Sequence, residues 1–328
     1  MPKTPFFWYR RSPTTHLIGV IFFPLTWLWR MGSWLRQIES RPYGSRLPVI
    51  AVGNITAGGT GKTPLVANLA VEARLRGYKP VILTRGYSGQ LAGPICVDKH
   101  HAAADIGDEA LMLREYAPVV VSRNRASGAK FIEEETLGDL ILMDDGLQNP
   151  SIKPHQSVVV FKGSLGIGNG LIIPAGPLRE TLSTGLAHAD AVAFTGRDDT
   201  GLTAQIRQIA PDLPCFTITR ALNAEDLGAI SGNKVVVFAG IGDPDGFFDM
   251  LAMAGVDLIA RRVFPDHHLF RDDEIKVLTA MAEDQQAILV TTEKDLVRIP
   301  EAVQHGILCI RLETRADPGL IDKLLPRR

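Results

Sequence analysis

Leu47-Pro-Val-Ile-Ala-Val-Gly53-Asn-Ile-Thr-Ala-Gly-Gly-Thr-Gly-Lys-Thr-Pro64 is the stretch that decides the fold. Leu47 to Val52 is a short apolar run, Gly53 to Thr63 is glycine-rich, and a helical pattern follows through Leu69 and Val71. A strand, a glycine loop and a helix in that order make a phosphate-binding P-loop. Gly58, Gly59 and Gly61 let backbone N–H groups wrap phosphate oxygens, with Thr56, Ala57 and Thr60 completing the loop. Lys62 reaches the β and γ phosphates, and the Thr63 hydroxyl is offered to Mg²⁺. Pro64 fits the first helical turn, where no N–H is needed. Thr56 stands where the usual first glycine of such a loop would be.

Downstream, residues 80–84, 118–122, 139–143, 157–161 and 190–194 are short β-branched runs with helical stretches between several of them. They read as buried parallel strands of an α/β sheet. Asp144 and Asp145 end one of these runs, where ligands bind in open α/β sheets and where a P-loop protein carries the acid that holds Mg²⁺. Residues 234–239, 258–264, 287–292 and 307–312 repeat the strand pattern, with a helical pattern over 272–282. This predicts a P-loop domain over 37–222 and a smaller second α/β domain over 223–328. Guanine specificity is not supported, because Asn233-Lys-Val-Val236 lacks the required acid. The partitioning ATPases, the alternative reading of a membrane-associated P-loop switch, carry a signature lysine where this chain has Ala57.

The 328 residues suffice for two domains, and 45% apolar with 22% charged content is that of a folded protein. Residues 1–46 hold seven Lys/Arg against one acid, Glu39, whereas the net charge of the whole is −1. A body without a basic patch excludes a dedicated nucleic-acid binder. Cys96, Cys215 and Cys309 are odd in number and far apart, which suggests neither a disulfide framework nor a zinc site and fits a reducing compartment. All four tryptophans, Trp8, Trp27, Trp29 and Trp34, fall in the N-terminal segment 1–36, and such rings favour the membrane–water interface. At ~1.5 Å per residue the apolar run 17–29 spans about 20 Å, short of the ~30 Å hydrocarbon core. Arg10, Arg11, Arg30 and Arg36 flank it, so the segment is expected to be a membrane-associated helix lying monotopically on an anionic surface.

With the loop, Thr84-Arg-Gly-Tyr87, Gly107-Asp-Glu109, Asp144-Asp-Gly-Leu-Gln148, Pro174-Ala-Gly-Pro-Leu-Arg-Glu180, Phe238-Ala-Gly-Ile-Gly242, Phe264-Pro-Asp-His267 and Thr291-Thr-Glu-Lys-Asp295 run in order along nearly the whole chain. Together they resemble the tetraacyldisaccharide 4′-kinase family of lipid A biosynthesis. The resemblance implies Mg-ATP-dependent phosphorylation of the 4′ hydroxyl of a tetraacyl disaccharide 1-phosphate at the cytoplasmic face of the bacterial inner membrane. It also implies an active site between two domains, Asp108 as base with His267 as its partner, and Arg179 stabilising transferred charge with Glu180 near the metal. Without the resemblance Asp108 reads as a helix N-cap, Arg179-Glu180 as a surface helix start, and Asp266 or His268 as alternatives to His267. Arg85 and Tyr87 are placed toward the disaccharide.

Overall fold

The computed structural model describes residues 5–9, 22, 25–27 and 42–327. Up to Leu222 the chain forms β1 (Val49–Gly53), β2 (Pro80–Thr84), β3 (Ile95–Cys96), β4 (Val119–Val121), β5 (Leu140–Asp144), β6 (Gln156–Lys162), β7 (Ala191–Thr195) and β8 (Cys215–Leu222). The remainder adds β9 (Lys234–Ala239), β10 (Asp257–Val263), β11 (Ile288–Thr292), β12 (Ile307–Ile310) and β13 (Leu312–Ala316). They assemble into a nine-stranded sheet, ordered β13-β8-β7-β6-β1-β5-β2-β4-β3, and a four-stranded sheet, ordered β10-β9-β11-β12.

In the large sheet every pairing from β8 to β4 is parallel, and only the edge strands β13 and β3 run antiparallel. Parallel strands need both faces covered, and β1, β2 and β5 are buried at every position. The helix Lys62–Leu75 covers one face through Leu65, Val66 and Leu69. Ala129 and Ile132 of the helix Arg125–Glu134 cover the other. The strand order turns back at β1, so the glycine loop leaves the sheet at the switch point where open α/β sheets bind ligands.

The chain does not stay in the small sheet to its end, contrary to the expected unit 223–328. The run expected as one strand over 307–312 breaks at Arg311. β13 then pairs with β8 in the large sheet, from Leu312 opposite Leu222 to Ala316 opposite Ile218. The helix Pro318–Leu324 follows, and its Leu320, Ile321 and Leu324 pack in the same cluster as Leu65 and Leu69. Each such buried side chain contributes about 1.5–3 kcal/mol relative to exposure, which is what draws the end of the chain back.

The expected membrane helix falls almost wholly outside the described residues. No helix among the described residues is long and apolar enough to cross a membrane. Of the arm's tryptophans, Trp8 does not face outward: it is 9% exposed and its indole N–H donates to Pro174 O at 3.1 Å. Trp27, by contrast, is 62% exposed.

Candidate active site

The helix Lys62–Leu75 has no side-chain cap. Its N-cap is Gly61 at φ +92°, so the N–H groups of the first turn have no partner from the cap side chain and face the loop. Beyond Gly58 and Gly59 there is open space, as a phosphate cradle requires. Thr56 departs from the usual glycine for a local reason. It forms a β-bridge to Leu178, flanked by Ala57 N–H donating to Pro177 O at 2.7 Å and Arg179 N–H donating to Ile55 O at 2.8 Å. An extended residue there needs no glycine. The Asn54 amide ties the loop internally, donating to Thr56 O at 2.7 Å and Gly58 O at 3.2 Å. Tyr9 reaches the same loop from the arm, its hydroxyl 3.3 Å from Ala57 O.

Gly61 also supports the loop from below. A Cβ there would lie 2.6 Å from Arg220 Nη2 and 2.7 Å from Thr195 Oγ1, and Thr195 donates to Thr60 O at 2.7 Å. Gly61→Ala is therefore expected to weaken ATP binding at least tenfold and to lower stability by about 1–2 kcal/mol from the left-handed backbone alone. Calorimetric titration with ATP and a thermal melt check both.

β5 delivers the acid pair to this loop. Thr63 Oγ1 donates to Asp144 Oδ2 at 3.3 Å, while Asp144 Oδ1 is buried without a partner. Burial pushes the Asp144 carboxyl well above the ordinary range; Glu109 and Asp145 add to this, and Lys62 and Arg125 oppose it. An orphaned, desolvated carboxylate oxygen beside a threonine hydroxyl fits a hard divalent cation. No three His, Cys, Asp or Glu side chains cluster as a metal cage among the described residues. Mg²⁺ asks for none, since it takes most of its ligands from water and phosphates.

Asp145 turns the other way, at φ +49°. Its Oδ1 lies 3.5 Å from Lys62 Nζ and 3.4 Å from Arg179 Nη1. Burial opposes the charge on Asp145, but Lys62, Arg179 and Arg125 outweigh it and lower its pKa. Glu180 joins the group only through Gln148, whose amide donates to Glu180 Oε1 at 3.0 Å and to Asn54 O at 2.8 Å and accepts from Arg179 at 3.1 Å. Sequence reading gave Gln148 no role and missed Arg125. That arginine is wholly buried and donates to Asp144 O at 3.0 Å and Ser122 O at 2.8 Å, fixing the end of β5.

Asp108 and His267, 159 positions apart in sequence, meet between the two sheets. His267 Nδ1 lies 3.2 Å from Asp108 Oδ2. Asp108 is not the cap of its helix Asp108–Leu113; that place is held by Gly107. His267 adopts φ +62°, held by its N–H donating to Gly240 O at 3.1 Å, and the Tyr87 ring lies 5.8 Å from it. The alternative His268 is occupied elsewhere, with Nε2 2.9 Å from Glu274 and its ring stacked on Phe264. Arg85 lies exposed just before Tyr87.

Two further cations converge on Asp108. Arg298 contacts Oδ2 through both Nε, at 3.0 Å, and Nη2, and Lys294 Nζ lies 3.8 Å away. Burial opposes the charge on Asp108, but the His267 hydrogen bond, Lys294 and Arg298 together hold its carboxyl far below the ordinary range. The Thr-Thr-Glu-Lys-Asp295 motif contained Lys294, and Arg298 lies one helical turn beyond its end. A charged residue at that spacing from Asp295 was the signal available.

The glycine loop and, from this cluster, Lys294 border one cleft. Its volume is about 910 Å³, within the usual range for small-molecule sites, and Gly58–Thr63 line one wall. Ile241–Asp243 and Thr292–Lys294 line the other, with Glu109 beside them. Lys162 and Asp243 span its rim with an ion pair of 2.6 Å.

A doubly wound sheet with a glycine loop at its switch point and an acid pair on the adjacent strand defines a P-loop nucleotide-binding protein. The chain belongs to the Tetraacyldisaccharide-1-P 4′-kinase family, whose model matches residues 18–327. It is 43% identical over 298 residues to the tetraacyldisaccharide 4′-kinase of Bradyrhizobium sp. (strain BTAi1), covering 90% of this chain and 85% of that protein. Identity to the tetraacyldisaccharide 4′-kinase of Rhodospirillum centenum is 40% over 326 residues, covering 98% of this chain and 96% of that one. The fold is similar to that of LpxK from Aquifex aeolicus, crystallised in complex with ATP. The TM-score is 0.74 at 22% identity, over 94% of this chain and 98% of that one.

Proposed function

We propose that this protein transfers the γ-phosphoryl group of ATP to the 4′ hydroxyl of a tetraacyl disaccharide 1-phosphate, a step of lipid A biosynthesis. The observation that carries the reading is that the P-loop borders one cleft with Glu109 and Lys294, the chain neighbour and an ion-pair partner of Asp108, which is itself paired with His267. When bound, ATP supplies the phosphoryl group and Mg²⁺ neutralises its charge. Lys62 and the N–H groups of the glycine loop would hold the phosphates. Thr63 and Asp144 are suited to the metal; Asp145 follows Asp144 in the chain, and Glu180 is linked to the group through Gln148. Arg179, tethered to Asp145 and Gln148, is poised to swing its charge toward the transferred group.

Asp108 Oδ1, buried and without a partner, is the atom suited to accept the 4′ hydroxyl. A carboxylate so strongly stabilised is a weak base. In a loose phosphoryl-transfer transition state a weak base suffices, since the hydroxyl proton leaves late and the main task is orientation. As the new P–O bond forms and the bond to the β-phosphate oxygen breaks, the proton passes to Asp108, with His267 beside it.

The small sheet with its helices serves as a second, movable unit over the nucleotide. The partitioning-type alternative is disfavoured by Ala57 and by family membership. Incubation with Mg-ATP and tetraacyl disaccharide 1-phosphate in mixed micelles tests the reading. Bis-phosphorylated lipid is the expected product, and ATP hydrolysis without it refutes the assignment.

The lipid's four acyl chains keep it in a bilayer, so the enzyme must work at the cytoplasmic face of the inner membrane. The basic, aromatic N-terminal segment is the attachment we propose. The exposure of Leu25 and Trp27 supports it, whereas Trp8 and Tyr9 serve the body of the protein. Replacing Arg10, Arg11, Arg30 and Arg36 by glutamine is expected to remove most co-sedimentation with anionic vesicles, at about 1 kcal/mol per residue. Deleting residues 1–35 would also strip Tyr9 from the loop, so the charge variant is the cleaner one. Undiminished binding to vesicles would assign attachment to another surface.

A further inference from the structure

Arg298 has an arrangement that a generic ion pair does not need. It follows the short helix Glu293–Leu296 in the layer of the small sheet, and its side chain is 1% exposed. Nε and Nη2 both face Asp108 Oδ2. Nη1 donates to Gly240 O at 2.8 Å and to Asp295 Oδ1 at 3.1 Å, and Nη2 lies 3.3 Å from His267 Nδ1. Asp295 is held in turn by Thr292 Oγ1 at 2.7 Å and Gly240 N–H at 3.1 Å. The guanidinium is thus fixed on all sides before it meets Asp108.

The consequence for Asp108 is directional. His267, Lys294 and Arg298 all approach Oδ2, and Oδ1 receives nothing. A planar fork anchored at both ends sets the carboxylate plane, which the ammonium of Lys294, a point charge at 3.8 Å, does not. Charge at this place is supplied twice; geometry is supplied once.

We propose that Arg298 is a positioning residue for phosphoryl transfer. It acts through Asp108, locking Oδ2 so that Oδ1 is presented to the acceptor hydroxyl, and it does so only when the two layers are together. This rests on the reading of Asp108 as the group that receives that hydroxyl.

Steady-state kinetics of the full chain with Mg-ATP and the lipid in mixed micelles test it. Arg298→Lys keeps the charge and loses the fork, and is expected to lower kcat about tenfold. Arg298→Met is expected to lower it about 10²-fold, with KM for ATP within about twofold of wild type. In an Asp108→Asn background, adding Arg298→Met is expected to cost less than about twofold more, because the carboxylate through which it acts is gone. That double variant removes both charges together, so it and Arg298→Lys carry the test if Arg298→Met alone does not fold.

Unchanged kcat in Arg298→Lys, or multiplicative losses in the double variant, would overturn the inference while leaving Asp108 in its role. Wild-type turnover by Asp108→Asn would instead remove the reading of Asp108, and this inference with it.

Discussion

Replacing Lys62 by alanine is expected to lower kcat by about 10³-fold or more, the scale of losing a preorganised charge at the site where negative charge moves. Lys62 is held at 14% exposure with its ammonium 3.5 Å from Asp145. The P-loop geometry would bring the same ammonium to the β and γ phosphates. Alanine removes that neutralisation and leaves Asp145, whose charge Lys62 helps to stabilise, facing phosphate with one counter-charge fewer. Thr63→Ala should fall in the same range, because it removes the hydroxyl beside Asp144. Single-turnover assays with a parallel melting curve separate lost chemistry from lost folding. Wild-type-like turnover in either variant would refute the P-loop assignment.

The second large effect lies across the cleft. Asp108→Ala and His267→Ala are each expected to lower kcat by about 10²- to 10⁴-fold, and the double variant to be little worse than the worse single, since the pair works as one unit. The two should differ in stability. Asp108→Ala breaks one of the two buried ion pairs of Arg298 and leaves Asp295 as its remaining carboxylate, at a cost of up to about 3–5 kcal/mol, whereas His267 is 17% exposed and its loss breaks no such pair. Because the Asp108 carboxyl is held far below its ordinary value of 3.8, its stabilising contribution is complete above that pH and lost only as the pH falls below it. Urea unfolding at pH 7 and at a pH below 3.8 reads both effects. Equal stabilities of the two single variants would show that Arg298 finds other compensation.

The large sheet was legible because its strands bury both faces and so carry unbroken β-branched runs. The expected strand bounds match Pro80–Thr84 in the large sheet and Lys234–Ala239 in the small one to the residue, and the other expected strands lie within a residue or two at each end. What escaped was the edge. β8 is mostly exposed, and Thr217, Thr219 and Arg220 give it the look of a loop. β13, with Glu313 and Arg315, reads no better, and a return to a sheet left at Leu222, some ninety residues earlier, leaves no local mark. The site divides the same way. Lys62, Thr63, Asp144 and Asp145 are contiguous in two motifs and were read with roles. Gln148 and Arg125 act through backbone carbonyls and neighbouring side chains, and Arg298 through a residue 190 positions away, so their partners exist only after folding.

The opposition of Leu222 and Leu312 on adjacent antiparallel strands has a bearing on ancestry. If residues 223–311 were excised, those two positions could be joined by a two-residue turn, and the edge of the large sheet would become an ordinary hairpin. The smaller layer thus has the form of a guest at a hairpin tip, entering and leaving where added sequence disturbs no register. Phosphate capture belongs to the host: β1, the glycine loop and the acid pair are all complete without the guest. The side chains paired with Asp108, His267, Lys294 and Arg298, all lie in the guest. In such a lineage a nucleotide binder would have become a phosphotransferase through one insertion, and the guest could go on changing its acceptor without retuning the loop that holds the donor.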